Sequence, residues 1–135
     1  MFCIYCGADT RVTNSRRQKR NNQIWRRRKC TDCGAIFTSH EALDLSTGFL
    51  VGSEKPQPFV EDKLYSDLLD ALKDHNDSYT AAREATYTVI GQLLKSSKKP
   101  QFSKEDISRA AAGVLERLDQ RAYLRYRAEY LSHLQ

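Results

Sequence analysis

A chain of 135 residues is long enough for one ordinary domain, or for a small metal-stapled module followed by a compact second domain. Its net charge of +5 is unevenly placed: residues 1–40 hold nine of the 22 Lys/Arg and only two Asp, net +7, which leaves the remainder at net −2. No apolar stretch approaches the roughly 18 residues that span a bilayer, and Met1-Phe2-Cys3-Ile4-Tyr5-Cys6 lacks the features of a secretory signal, so a cytoplasmic protein without a membrane partner is expected.

All four cysteines fall in the first 33 residues, as Cys3-x-x-Cys6 and Cys30-x-x-Cys33, each followed directly by glycine (Gly7, Gly34). In a reducing compartment such pairs are metal ligands more often than disulfides. A tight turn brings two sulfurs to one ion, and glycine permits the backbone angles that the turn needs. Four thiolates complete a tetrahedral Zn2+ shell and leave no open position, so the expected role of the metal is structural. A rubredoxin-like iron site has the same ligand set and stays open on spacing alone. His40 is read as a surface histidine, because the shell is complete without it.

Between the pairs, Thr10-Arg11-Val12-Thr13 and Ile24-Trp25-Arg26 are β-prone, with Asn21-Asn22 as a turn, which predicts a β-ribbon between two metal knuckles. Arg11, Arg16, Arg17, Lys19, Arg20, Arg26, Arg27, Arg28 and Lys29 crowd this ribbon. Strand alternation places Arg26 and Arg28 on one face and Arg27 on the other. Guanidinium groups bind phosphate bidentately and pair with guanine edges, so Arg11, Arg16, Arg17, Arg26, Arg27 and Arg28 are the candidate contacts to double-stranded DNA. No amphipathic basic helix accompanies the charge, which disfavours a membrane surface. Trp25 suits either the ribbon core or stacking on a base.

Beyond residue 45, an extended piece around Phe49-Leu50-Val51 leads through Gly52, Pro56 and Pro58 into helical periodicity, as a strand or hairpin would. Val60, Leu64, Leu68, Leu69 and Leu72 form one apolar face, and Tyr79, Ala82, Thr86, Val89, Ile90, Leu93 and Leu94 a second, with Asn76-Asp77-Ser78 between them. Ser96-Ser97-Lys98-Lys99-Pro100 stops the second helix. Ser103-x-x-Asp106 reads as a capping box before Ile107, Ala110, Ala111, Val114, Leu115 and Leu118, and a fourth helix runs through Tyr123, Tyr126, Tyr130 and Leu131. The fold class expected is α+β: a small N-terminal four-cysteine zinc ribbon over residues 1–45 and a mainly helical domain over 46–135. No P-loop, paired catalytic carboxylates or open metal position is present, so no enzyme is expected.

The run Cys3-x-x-Cys6, Thr10-Arg11-Val12, Ser15-Arg16, Arg26-Arg27-Arg28, Cys30-x-x-Cys33 and Phe37-Thr38, ending at Glu41, closely resembles the zinc ribbon of the NrdR family, bacterial repressors of ribonucleotide reductase genes. Pro58-Phe59 with Lys63-Leu64, and Leu118-Asp119-x-x-Ala122-Tyr123-x-Arg125-Tyr126 with Tyr130, resemble that family's second domain, the ATP-cone. The pattern departs at Trp25 and Ile36, where the family carries arginine. It departs also at Leu50-Val51-Gly52-Ser53-Glu54-Lys55-Pro56-Gln57-Pro58, where the family carries a Val-x-Lys-Arg-Asp-Gly-like nucleotide-binding segment. The resemblance implies a zinc-dependent, DNA-binding repressor that assembles as a homo-oligomer and is switched by ATP and dATP, with Lys55 and Lys63 as the basic residues placed to meet a nucleotide. The alternative is a zinc-ribbon nucleic-acid or protein interaction module whose degenerate cone binds no nucleotide.

Overall fold

Strands β1 (Thr10–Gln18), β2 (Gln23–Cys30) and β3 (Ile36–Glu41) form an antiparallel sheet in the order β1-β2-β3 in the computed structural model, which describes residues 1–134. Asn22 closes the β1–β2 turn with φ +53°, a left-handed backbone that asparagine tolerates better than most side chains. The Asn21 carboxamide reinforces the turn, donating to Gln18 Oε1 at 3.4 Å and accepting the Gln23 amide at 3.3 Å. The pairing slips by one residue between Val12 and Asn14, so Thr13 is a β-bulge, and its hydroxyl donates to the Arg27 carbonyl at 3.2 Å. The sheet belongs to a first unit, Met1–Leu43. Its buried core is Cys3, Cys30 and Phe37, flanked by Ala8 and Ala35, far too little apolar burial to hold a forty-residue module together without a metal.

The second unit starts at Asp44. A 3-10 turn, Leu45–Thr47, is capped by Asp44, whose carboxylate accepts the Ser46 amide at 3.0 Å. Three two-residue strands follow along the chain, β4 (Leu50–Val51), β5 (Gln57–Pro58) and β6 (Gln101–Phe102), in the order β5-β4-β6. The predicted hairpin is β4–β5. β6 adds a third strand, parallel to β4, and Phe49 stacks on Phe102 with ring centroids 5.1 Å apart.

Among the described residues of this unit are four α-helices, α1 (Glu61–Ala71), α2 (Ser78–Ser96), α3 (Lys104–Leu118) and α4 (Gln120–Tyr130), followed by a 3-10 turn, Ser132–Leu134. Acidic Glu61 and Asp62 occupy the first turn of α1, where the helix dipole favours negative charge. Leu64, Leu68 and Ala71 then bury one face at helical spacing. Thr86 is buried on α2, and its hydroxyl donates to the Ala82 carbonyl at 2.7 Å, so no polar group there is left unmet. The Ser103/Asp106 capping box opens α3 as its spacing predicts. Asp119 caps α4, accepting the Arg121 and Ala122 amides at 2.9 and 3.0 Å. The Ala122 amide, against some opposing burial, holds the Asp119 carboxyl below its ordinary value. Arg125 of α4 donates to the Ala71 carbonyl at 2.6 Å and to Asp74 at 2.5 Å, which ties α4 to the end of α1.

Three residues assigned to apolar faces lie outside the core. Val60 precedes α1 as its N-cap and is 55% exposed, Tyr79 sits in the first turn of α2 at 68%, and Leu118 ends α3 at 45%. Each stands at a helix end, where the periodic stripe runs past the surface that its neighbours cover.

Candidate metal centre and nucleic-acid interface

The two knuckles repeat one local design. Both read Cys-x-x-Cys-Gly-Ala, and in both the first cysteine's amide donates to the alanine carbonyl: Cys3 to Ala8 at 2.8 Å, Cys30 to Ala35 at 2.9 Å. Gly7 and Gly34 turn the chain at φ +76° and +71°, a backbone region open to glycine at little cost. Tyr5 N donates to Cys3 Sγ and Asp32 N to Cys30 Sγ, each at 3.4 Å. The four sulfurs lie within 4.8 Å of one another, with Cys3 to Cys33 at 3.7 Å and Cys6 to Cys30 at 3.5 Å.

Those separations fit the ion that the sequence implies, since sulfurs at about 2.3 Å from a tetrahedral Zn2+ are about 3.8 Å apart. The electrostatics fit as well. Burial pushes the Cys30 thiol up, but the Asp32 and Cys33 amides together with the Cys6 and Cys33 thiols outweigh it and bring Cys30 down to about 6. Amides of Cys6 and Tyr5 likewise hold Cys3 below the ordinary thiol value. At Cys33 an amide from Ala35 pulls down, yet burial and the three neighbouring sulfurs raise it to about 12. One thiolate forms readily here, and four together need a cation among them. The four cysteines are positioned to bind one zinc ion.

The sheet that runs from the first knuckle through β3 sorts its basic residues between two faces. Reading the register outward from β2, one face carries Thr10, Ser15, Arg17, Ile24, Arg26, Arg28, Cys30, Phe37, Ser39 and Glu41, and it is the face of the metal site. There Arg26 donates to Ser15 Oγ at 3.0 Å and to Glu41 at 2.8 Å, and Arg28 to Ser39 Oγ at 2.9 Å and Thr10 Oγ1 at 3.4 Å. The opposite face carries Arg11 beside Lys29, Asn14 beside Arg27 and Thr38, and Arg16 beside Trp25 and His40. The Arg16 guanidinium lies 5.9 Å from the Trp25 ring centroid, within cation–π range. The Thr13 bulge is what lets Arg11 and Arg16, five residues apart, share a face, because in an unbroken strand an odd spacing separates them.

Several features escaped the sequence reading. Trp25, Lys29 and His40 join the outer arginines, and of the six candidate arginines three (Arg17, Arg26, Arg28) fall on the metal face. Strand alternation already parts Arg26 and Arg28 from Arg27, and carried along the whole of β2 it also places Trp25 and Lys29 beside Arg27.

The family model described as transcriptional repressor NrdR-like, N-terminal domain, matches residues 1–41. Over 132 residues the chain is 36% identical to the transcriptional repressor NrdR of two strains of Thermus thermophilus, covering 96% of this chain and 84% of each relative. The chain belongs to the NrdR family of transcriptional repressors. Membership extends beyond the ribbon, since the aligned length takes in nearly all of the helical unit.

Within the NrdR framework the two residues expected to meet nucleotide stand in separate elements. Lys55 lies in the β4–β5 connection and Lys63 in the first turns of α1, both exposed. In the first turn of α1, burial raises the Glu61 carboxyl, helped by the negative charges of Asp62 and Asp44.

Proposed function

We propose that this NrdR relative represses transcription by binding double-stranded DNA through its cysteine-clamped ribbon, with genes for ribonucleotide reductase among its targets, in the cytoplasm and without enzymatic activity. The observation that carries the reading is the coincidence of a four-sulfur metal site with the arginine-rich strands β1 and β2 built directly between its two knuckles. Cys3, Cys6, Cys30 and Cys33 hold the metal and fix the sheet. The sheet then presents guanidinium groups at set spacings, the rigid display that phosphate positioning and base-edge contact require.

One ribbon is small, and a module of this size binds DNA weakly alone. The helical unit therefore serves to join copies of the chain, and its exposed Tyr79, Leu118 and Leu124 supply apolar surface for that. If about six cations across the joined ribbons neutralise phosphates, log K against log[salt] should fall with a slope of roughly −5. Fluorescence anisotropy of a labelled duplex across a salt series measures it. A slope near zero, or equal affinity for single-stranded RNA, would remove duplex DNA as the partner.

A second reading concerns control. Family resemblance implies switching by ATP and dATP, whereas Leu50-Val51-Gly52-Ser53-Glu54-Lys55-Pro56-Gln57-Pro58, standing where the family carries its nucleotide-binding run, favours a helical unit that assembles without nucleotide. Calorimetric titration of zinc-loaded protein with ATP and dATP, with light scattering on the same samples, is expected to give no micromolar binding and no change in subunit number. Binding that alters the assembly would restore the nucleotide switch and assign segment 50–58 to it.

A further inference from the structure

The two faces of the ribbon differ in what their cations are doing. On the metal face, Arg26 and Arg28 are partly buried and together donate to Ser15, Glu41, Ser39 and Thr10, so their guanidinium groups link all three strands. On the opposite face, Arg11, Arg16 and Arg27 are exposed, and among the described residues their cross-strand partners are the Thr38 hydroxyl, 3.2 Å from Arg27, and the Trp25 ring beside Arg16. Glu41 lies on the metal face, and none of the residues that register places on the opposite face is acidic.

We infer that the duplex lies across this outer face, with Arg11, Arg27 and Arg16 as its contacts and Trp25 as the positioning residue for Arg16, while Arg26 and Arg28 brace the sheet from behind. The inference rests on the DNA-binding reading above and narrows it to one surface. Three physical arguments carry it. A polyanion gains most from cations that need not abandon a carboxylate to meet it, and the Glu41 partner of Arg26 would have to be given up. A flat aromatic ring under a guanidinium restricts a long, flexible side chain and leaves its N–H groups free to donate outward. The bulge at Thr13 places Arg16 over the ring and on the face of Arg11 at once.

Trp25 is the single tryptophan of the chain, so its emission reports on this face without any substitution. Zinc-loaded protein titrated with a short mixed-sequence duplex at low salt should show a change in tryptophan emission that saturates with the anisotropy of the labelled DNA. Arg27→Ala should weaken binding by about 5- to 150-fold, and more than Arg26→Ala measured on the folded, zinc-loaded fraction. Trp25→Ala and Arg16→Ala should each weaken binding, and their losses should not add in the double variant, since one acts through the other. Anisotropy that rises while emission stays flat, with Arg26→Ala the costlier change, would place the duplex on the metal face and overturn the inference alone. Fully additive Trp25 and Arg16 losses would overturn the positioning role. Absence of any duplex binding would take down the inference and the DNA-binding reading together.

Discussion

Cys30→Ser is expected to unfold the ribbon, abolish zinc binding and eliminate DNA binding, while the helical unit stays folded. Cys30 is the centre of the first unit in two senses. Its sulfur is only 3.5 Å from that of Cys6, and its side chain is one of the three buried residues in the ribbon core. A serine hydroxyl cannot replace the thiolate in a four-sulfur shell. Structural zinc supplies about 10–16 kcal/mol of apparent binding free energy in small modules, and the apolar core on this side has nothing comparable to offer. The second unit packs around its own cluster, from Leu45 and Phe59 to Ala122 and Tyr126, and no residue of that cluster belongs to the ribbon. Metal analysis, circular dichroism and a thermal melt check the outcome. The variant should contain no zinc and bind no duplex, yet keep its helical signal and the helical melting transition of the parent. Simultaneous loss of the helical signal would mean that the two units share their stability.

The complementary result is expected from Leu115→Ala. Leu115 is fully buried on α3, among the side chains that α1 and α2 bring to the same cluster. Truncating a buried leucine removes its transfer free energy and leaves a cavity, at a cost of about 2–5 kcal/mol. That is a large part of the stability of a domain this size. The helical transition should fall by several degrees or be lost at physiological temperature, with full zinc content retained. Affinity for DNA should drop only as far as assembly of the helical unit is lost. Unchanged melting would mean that the cluster collapses around the gap.

The metal site was the most legible part of the sequence because thiolate chemistry tolerates few spacings. Two Cys-x-x-Cys pairs, each with a glycine ready for a positive φ, leave little else that they could be. Alternation along β2 was legible for the same kind of reason, and Arg26 and Arg28 do stand opposite Arg27. The bulge at Thr13 was not, since a bulge is a property of how two strands pair and leaves no mark on the composition of either. Strand β6 was hidden behind Lys98-Lys99-Pro100, which reads simply as the end of a helix, and two residues are too few to show a period. Val60, Tyr79 and Leu118 were misplaced because a periodic stripe says which face is apolar but not where its cover ends. The Arg125 anchor to Ala71 and Asp74 joins residues more than fifty positions apart, beyond the reach of any local pattern.

The Thr13 bulge also fixes a length. Arg11 stands opposite Lys29 and Arg16 opposite Trp25, four residues apart on β2, or about 13 Å along the strand. The major groove of B-DNA is about 12 Å wide. With a duplex on the outer face, as inferred above, cations at the two ends of this span would reach the sugar–phosphate rails on either side of a groove, and Arg27, midway between them, would fall over the base edges. On that ruler the end residues would set how steeply binding responds to salt, and the middle one would set which sequence is preferred.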